Sequence, residues 1–325
     1  MRVGLDVSPL HLTRAGTARV IENLLEVERA GVDVVPLDRP GQGRVAAALR
    51  DAWWYPHVLP REARRARVDL LHCPSFRGPI RCPMPLVVTV HDLAVLRHPE
   101  LFNRWTRAYS RRYVPRVVAA ARLVVAVSAF TRDELAQVLG TDPARVRVVP
   151  NAVPVGFSPD GARGEGDYVL AVGTLEPRKN LVRLAEACAL AGAELRVVGA
   201  RGWGEVELPA HVKLLGPVDD GELAALYRGA RCLAYPSLYE GFGIPIVEAM
   251  ACGTPVVTSR GGATEEVAGG AAVLVDPFDP ASIAAGIAEA ERRRDELVSL
   301  GLERATAFTW AAAADAVESL WRELA

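Results

Sequence analysis

Residues 232–258 read Cys232-Leu233-Ala234-Tyr235, then Pro236-Ser237-Leu238-Tyr239, then Glu240-Gly241-Phe242-Gly243-Ile244-Pro245-Ile246-Val247-Glu248-Ala249-Met250-Ala251-Cys252, and finally Gly253-Thr254-Pro255-Val256-Val257-Thr258. The apolar run from Ile244 to Cys252 predicts a short helix, because proline stands near its first turn and glycine just past its end. Short apolar runs flank it, Cys232–Tyr235 before and Pro255–Thr258 after, so the stretch reads as strand, helix, strand. Two strands joined through a helix lie parallel in one sheet. Glu240 then sits on the loop entering the helix and Glu248 projects from its first turns. Gly241 and Gly243 let the backbone come close to a ligand at a helix N-terminus, where unpaired N–H groups and the dipole favour an anion. A carboxylate beside a bound diphosphate would be repelled by it. Glu240 and Glu248 are therefore suited to accept hydrogen bonds from sugar hydroxyls, and the pattern suggests a pocket for a nucleotide sugar.

The same alternation runs through the whole chain. In the first half the strand candidates are Arg2–Val7, Val32–Pro36, Leu70–His72, Leu86–His91, Leu123–Ser128 and Val146–Val149. Helical patterns lie between several of them, at Thr17–Ala30, Asn103–Ala120 and Thr131–Leu139. Pro150 to Gly166 is rich in proline and glycine and reads as a linker. A second series follows, with strands at Tyr168–Val172, Leu195–Val198, Val212–Leu214, Cys232–Tyr235, Pro255–Thr258 and Ala272–Val275. Its helices are expected at Asn180–Leu190, Asp220–Gly229, Ile244–Cys252 and Pro280–Leu297. Strands alternating with helices give parallel sheets in α/β layers, and the two series predict two doubly wound, Rossmann-like domains in tandem. The boundaries fall at 1–155 and 156–307. A last helix within 308–325 carries Trp310, Val317, Leu320, Trp321 and Leu324 at helical spacing, and the spacing alone allows it to cap either domain.

Composition narrows the class. Half of the 325 residues are hydrophobic, which excludes global disorder and supplies core for two domains. Lys179 and Lys213 are the two lysines of the chain. Residues 1–155 hold 23 arginines against 14 acidic residues, whereas the remainder holds 15 basic against 25 acidic, so a net charge of +9 precedes one of −10. Two readings are open: scattered solvated faces, or a basic half that meets an anionic acceptor or membrane surface. The five cysteines show no CxxC spacing, three of them lie in apolar contexts suited to buried thiols, and the set fits a reducing, cytoplasmic compartment. No apolar run approaches the ~20 residues of a membrane span, and Met1–Asp6 reads as a first strand rather than a signal peptide.

Directly after the strand Tyr168–Val172 comes Gly173-Thr174-Leu175-Glu176-Pro177-Arg178-Lys179-Asn180. Arg178 and Lys179 thus stand at the carboxyl end of a strand, where open α/β sheets bind ligands. A forked guanidinium and a compact ammonium complement a diphosphate, and basic residues at a helix start are otherwise disfavoured by the dipole. The chain contains no Asp-x-Asp pair to hold a divalent ion. His91-Asp92 ends the apolar run Pro85–Val90, so His91 either faces a ligand at a strand end or bonds a neighbouring carbonyl. His72 and His98 are expected to be structural. Ser128 begins Ser128-Ala129-Phe130-Thr131 and can cap the helix that follows. Tyr227 reads either as core or, with Gly216–Asp220, as part of a base pocket. Arg104, Arg107, Arg111, Arg112 and Arg116, interleaved with Trp105, Tyr109 and Tyr113, form either a solvated face or a dock for a lipid phosphate or anionic bilayer.

Taken together, Glu240 to Glu248 with the trailing Ala-Cys-Gly-Thr-Pro-Val-Val resembles the E-x7-E motif of retaining family 4 glycosyltransferases of the GT-B fold. Glu176 to Asn180 is similar to the family's E-P-x-K-N segment, which binds the donor diphosphate. The resemblance implies a metal-independent, cofactor-free hexosyltransferase with two Rossmann-like domains facing across a cleft. It assigns donor contacts to Gly16, Gly173, Thr174, Arg178, Lys179, Glu240, Gly241, Phe242, Gly243 and Glu248. The catalytic set it implies is His91, Arg178, Lys179 and Glu240, with His91 by the anomeric carbon and Ser128 on the acceptor side. The loop Arg14-Ala15-Gly16-Thr17 resembles the family's glycine loop but has one glycine, with Arg14 and Arg19 as further candidates. Val149-Pro150-Asn151-Ala152-Val153 resembles its P-N-G-V hinge with alanine in the glycine position. The resemblance also implies same-face transfer in which the leaving diphosphate helps to deprotonate the acceptor, and a final segment from Phe308 that crosses back onto the first domain. The expected partners are a nucleoside-diphosphate sugar, with GDP-mannose favoured, and a glycan or lipid-linked acceptor. No nucleic-acid role is expected, and of the two readings of the basic half, solvated faces or an anionic surface, the second would place the chain at the inner face of a membrane. A nucleotide-sugar epimerase and a non-catalytic nucleotide-sugar sensor remain open as alternatives. A phosphorylase would need a cofactor lysine that two lysines do not readily supply.

Overall fold

Six short apolar runs build the first sheet: β1 (Arg2–Asp6), β2 (Asp33–Leu37), β3 (Leu70–Cys73), β4 (Leu86–Val90), β5 (Leu123–Ala126) and β6 (Val146–Val148). Residues 1–11, 16–26, 30–41, 43–202, 204 and 206–324 are described in the computed structural model. β3, β4 and β5 are buried along their whole length, as strands covered by helices on both faces must be. The strands run parallel in the order β2-β1-β3-β4-β5-β6. The second sheet comprises β7 (Tyr168–Val172), β8 (Glu194–Val198), β9 (Lys213–Gly216), β10 (Cys232–Tyr235), β11 (Val256–Ser259) and β12 (Val273–Val275). It too is parallel, in the order β12-β11-β10-β7-β8-β9. Strand order reverses between β1 and β3 in the first sheet and between β7 and β10 in the second. At such a reversal the flanking loops leave in opposite directions and open a crevice at the carboxyl ends.

All twelve expected strands form, with ends moved by no more than two residues. The helices differ from expectation in several places, among them a helix at Gly262–Ala268 between β11 and β12 that was not expected. The segment Pro280–Leu297 is two helices, Pro280–Arg292 and Arg294–Ala305, broken at Arg293, whose guanidinium holds Glu289 behind it and Glu296 ahead of it. Between β2 and β3 the chain forms Gly43–Leu49, a wide π-helical stretch Arg50–Val58 and Leu59–Arg65. Pro56 lies inside the π stretch, where a missing N–H donor is absorbed by the altered helical register.

The chain divides into two compact units. The first comprises Met1–Pro99, Asn103–Asn151 and the chain from Trp310 onward; the second comprises Glu100–Phe102 and Ala152–Thr309. In the first unit the helix Trp310–Leu324 buries Val317, Leu320 and Trp321 against Val3, Leu5, Leu70, Val87 and Val125. The Trp321 indole N–H donates to His72 Nδ1 at 3.2 Å, which leaves Nε2 to donate to Thr89 Oγ1 at 2.9 Å. His72 is therefore a neutral core histidine. Burial, with a smaller push from His91, drives its pKa down from 6.5 to about 3. Between those values the unfolded chain takes up a proton that the folded chain refuses, so stability should fall as pH drops. Urea unfolding at pH 6.5 and 4.5 should show wild type losing about 1.4 kcal/mol per pH unit more than His72→Asn. Equal slopes would remove His72 as the cause.

Candidate functional site

The second unit gathers four buried charged side chains, Glu176, Arg178, Lys179 and Glu240, at the reversal point of its sheet. β7 ends in Gly173-Thr174-Leu175, and the chain then makes a tight turn at Pro177–Lys179 before the helix Leu181–Leu190. Asn180 joins the two in a left-handed conformation (φ +60°), its amide donating to the carbonyls of Pro236 at 3.0 Å and Pro277 at 2.6 Å. That anchor ties the loop after β7 to the loops after β10 and β12. The loop after β8 comes equally close. Gly199 has φ +152°, and a Cβ there would lie 2.0 Å from the Gly173 carbonyl oxygen, so no other residue fits.

Lys179 and Glu240 meet in this crevice. Lys179 Nζ lies 2.6 Å from Glu240 Oε1 and donates to the Tyr235 hydroxyl at 2.7 Å, and that hydroxyl donates to the same Oε1 at 2.8 Å. Arg178 NH1 donates to Glu240 Oε2 at 2.6 Å and to the Tyr239 carbonyl at 3.1 Å, while its Nε lies 2.6 Å from Glu176 Oε1. The four charged side chains are almost wholly buried, the most exposed being Arg178 at 14 %. Burial opposes ionisation of Glu240, but Arg178, Lys179 and the hydrogen bonds of Lys179 and Tyr235 prevail and hold its pKa down to about 2. Burial lowers the Lys179 pKa, and Arg178 adds to that, against the pull of Glu240. Burial, reinforced by Glu240, holds the Tyr235 phenol well above its ordinary value, so it remains a donor. Two cations and two carboxylates thus neutralise each other in one polar knot.

Glu248 lies on the helix Ile244–Ala251, whose N-cap Gly243 takes φ +100°, a conformation suited to glycine. It is 3 % exposed, and its Oε2 accepts the Tyr227 hydroxyl at 2.9 Å. Tyr227 is fully buried, its ring edge-on to Phe157 at 6.0 Å, which is the core reading of that residue. Phe242 is also buried, edge-on to Phe308 at 5.5 Å.

In the first unit, His91 follows β4 and its Nε2 lies 3.0 Å from the Pro74 carbonyl oxygen, at the end of β3. Burial lowers its pKa, opposed by the Pro74 carbonyl and Asp92. Of the two readings open for a strand-end histidine, the carbonyl bond is present, and the ring still stands at the carboxyl end of the sheet. Ser128 caps the helix Ala129–Leu139, its hydroxyl oxygen accepting Thr131 N–H at 3.0 Å. Gly16 opens the helix Gly16–Glu26, and Arg14 lies outside the described residues. Ala152 keeps a negative φ. All five cysteines are thiols without disulfides, and Cys73, Cys188, Cys232 and Cys252 are buried. Among the described residues no three His, Cys, Asp or Glu side chains gather as a metal site requires, and no helix is long and apolar enough to cross a membrane.

Two partners in the knot escaped the sequence reading. Tyr235 closes β10 and reads as a strand residue, and Glu176 opens the E-P-x-K-N-like segment without a role of its own in that reading. The available signal was position alone, since Tyr235 is the last residue of the strand that borders the reversal point.

The family described as Glycosyl transferases group 1 matches residues 157–303, and Glycosyltransferase Family 4 matches residues 14–157. The chain is 32 % identical to O-antigen chain mannosyltransferase B of Escherichia coli, across 91 % of this chain and 90 % of that protein. It is 33 % identical to D-inositol 3-phosphate glycosyltransferase of Segniliparus rotundus, across 74 % of this chain and 62 % of that one. Among solved structures, sucrose-phosphate synthase of Thermosynechococcus elongatus aligns with a TM-score of 0.78 at 19 % identity, over 100 % of this chain and 99 % of its own. Anabaena HepE in complex with UDP and glucose aligns with a TM-score of 0.74 at 18 % identity, over the full length of both chains. The chain belongs to the family 4 glycosyltransferases and is a glycosyltransferase of the GT-B fold.

Proposed function

We propose that this glycosyltransferase transfers mannose, with retention of anomeric configuration, from GDP-mannose to a glycan or lipid-linked acceptor. Arg178 and Lys179, rather than a divalent ion, neutralise the departing diphosphate. The buried Arg178–Lys179–Glu240 knot at the reversal between β7 and β10 carries this reading, because it gathers two cations at the carboxyl end of the sheet, where exchange from their carboxylates would let them stabilise the leaving group. Glu240, kept ionised, turns acceptor oxygens toward sugar hydroxyls, with the Phe242 and Gly243 backbone beside it. Glu248 serves the ribose from the helix behind. Gly16, Gly173, Thr174 and Gly241 belong to the donor-binding backbone. His91 is assigned to the transferred sugar and Ser128 to the acceptor side, each at the carboxyl end of a strand of the first sheet. A mannosyl donor is favoured because two relatives are named O-antigen chain mannosyltransferases. The epimerase and sensor alternatives give way to the family assignment. The arginine-rich first half is further assigned to the inner face of an anionic membrane.

Calorimetric titration with GDP, UDP and ADP, without added metal, tests the donor reading. GDP should bind at micromolar strength, and Glu248→Ala should weaken it by about 10–100-fold, the worth of a hydrogen bond to a charged group. Stronger binding of UDP would replace the guanine assignment. Binding of none, or equal binding by the variant, would withdraw the role given to Glu248.

A further inference from the structure

The helix Arg104–Ala120 contains no acidic residue, and Arg104 and Arg107 occupy its first turns, where the dipole disfavours cations. Among the described residues Arg104, Arg107, Arg111 and Arg112 make no ion pair, whereas Arg97 nearby is held bidentately by Glu134 at 2.6 and 2.7 Å. A stripe of unpaired arginines on one helix implies a counter-charge supplied from outside. Arg104, Arg107, Ala108 and Arg111 follow helical spacing along one face, and Trp105, Arg112 and Arg116 form the adjoining stripe, with Trp105 62 % exposed.

Beside the first stripe lies a groove of about 640 Å³. Its lining combines the apolar Val95, Leu96, Val138 and Leu139 with the guanidinium groups of Arg104, Arg107 and Arg111. Ala108 keeps it open, since a larger side chain there would fill it, and a second depression lined by Arg111, Arg112 and Arg116 continues along the helix. Apolar lining next to cations matches an amphiphile bearing an anionic head, and an exposed tryptophan beside them suits a membrane interface.

We infer that this groove seats a phosphate-headed lipid of an anionic membrane, with the phosphate between Arg107 and Arg111 and the first carbons of the chain along Leu96, Val138 and Leu139. The inference rests on the membrane part of the proposed function and not on its donor chemistry. It replaces diffuse attraction to a charged surface with a stoichiometric site, so that membrane contact becomes saturable and selective for phosphate heads.

The test uses the full chain, dihexanoyl phosphatidic acid below its micellar threshold, inorganic phosphate, and flotation with vesicles of phosphatidylglycerol in phosphatidylcholine. The short lipid should bind once per chain and at least tenfold more tightly than phosphate. Ala108→Trp fills the groove without changing charge and should lose that tenfold advantage while still binding phosphate. The pair Arg107→Gln with Arg111→Gln should weaken both ligands. If wild type ignores anionic vesicles, the membrane reading falls and the groove with it. If wild type floats with them but Ala108→Trp binds the short lipid equally well, the groove alone is overturned. Equal affinity for lipid and phosphate would likewise overturn it.

Discussion

Lys179→Ala should lower the rate of sugar transfer by about 10²–10³-fold, the loss typical of removing one preorganised group that stabilises a developing anion. Lys179 is one of two lysines in the chain, and its ammonium is placed by Glu240 and Tyr235 at 2.6 and 2.7 Å. No other ammonium can take its place, and Arg178 is already committed to Glu240 and Glu176. The fold should survive. Breaking a buried pair costs about 3–5 kcal/mol when the remaining charge is left alone, but Glu240 would keep Arg178 and Tyr235, so the cost should lie below that range. Single-turnover transfer measured beside a thermal melt separates the two effects. Near-native turnover would sink the assignment of Lys179 to the diphosphate, and a collapsed melting transition would show the knot to be chiefly structural.

Trp321→Ala should be the most damaging core substitution of the last helix, costing about 3–5 kcal/mol. Its side chain is fully buried, so truncation leaves a large void among β-strand side chains already packed on both faces. It also removes the indole N–H that donates to His72 Nδ1. For a unit of this size the loss corresponds to a fall in melting temperature of roughly 6–20 °C. Trp321→Phe retains most of the apolar contact and loses the hydrogen bond, so it should cost much less. A melt of Trp321→Ala within a degree or two of wild type would mean that the last helix contributes little to its unit.

The sheets were legible because parallel strands buried on both faces are written as short, continuous apolar runs, such as Val87-Val88-Thr89-Val90 and Leu123-Val124-Val125-Ala126. Helix register was less so. The stretch Gly43–Arg65 contains Pro56 and winds partly as a π-helix, so its apolar residues do not recur at the spacing of an ordinary helix. The break at Arg293 lies within a run of charged residues, where nothing apolar marks a boundary. Positions at the site were legible for the same reason as the strands, since Lys179 and Glu240 each follow an unambiguous strand. Their direct pairing was not, because it depends on the order in which β7 and β10 lie in the sheet. Reading Arg178 and Lys179 as a waiting pair of cations overlooked that Glu240 and Glu176 already balance them. Under the proposed function, an incoming diphosphate would exchange partners with these carboxylates rather than meet bare charge.

The first unit is discontinuous, with 152–309 inserted between its body and its last helix. On the ribosome, which delivers the chain from its N-terminus, the inserted unit emerges whole before Trp310–Leu324 appears. It can complete its sheet while the earlier-made half still lacks the helix that covers Val3, Leu5, Leu70 and Val87. The usual sequence, in which the first domain made is the first finished, is thereby inverted. In the interval between those two events, Val3, Leu5, Leu70 and Val87 stay uncovered beside a finished second unit, and that apolar face is what a chaperone would shield.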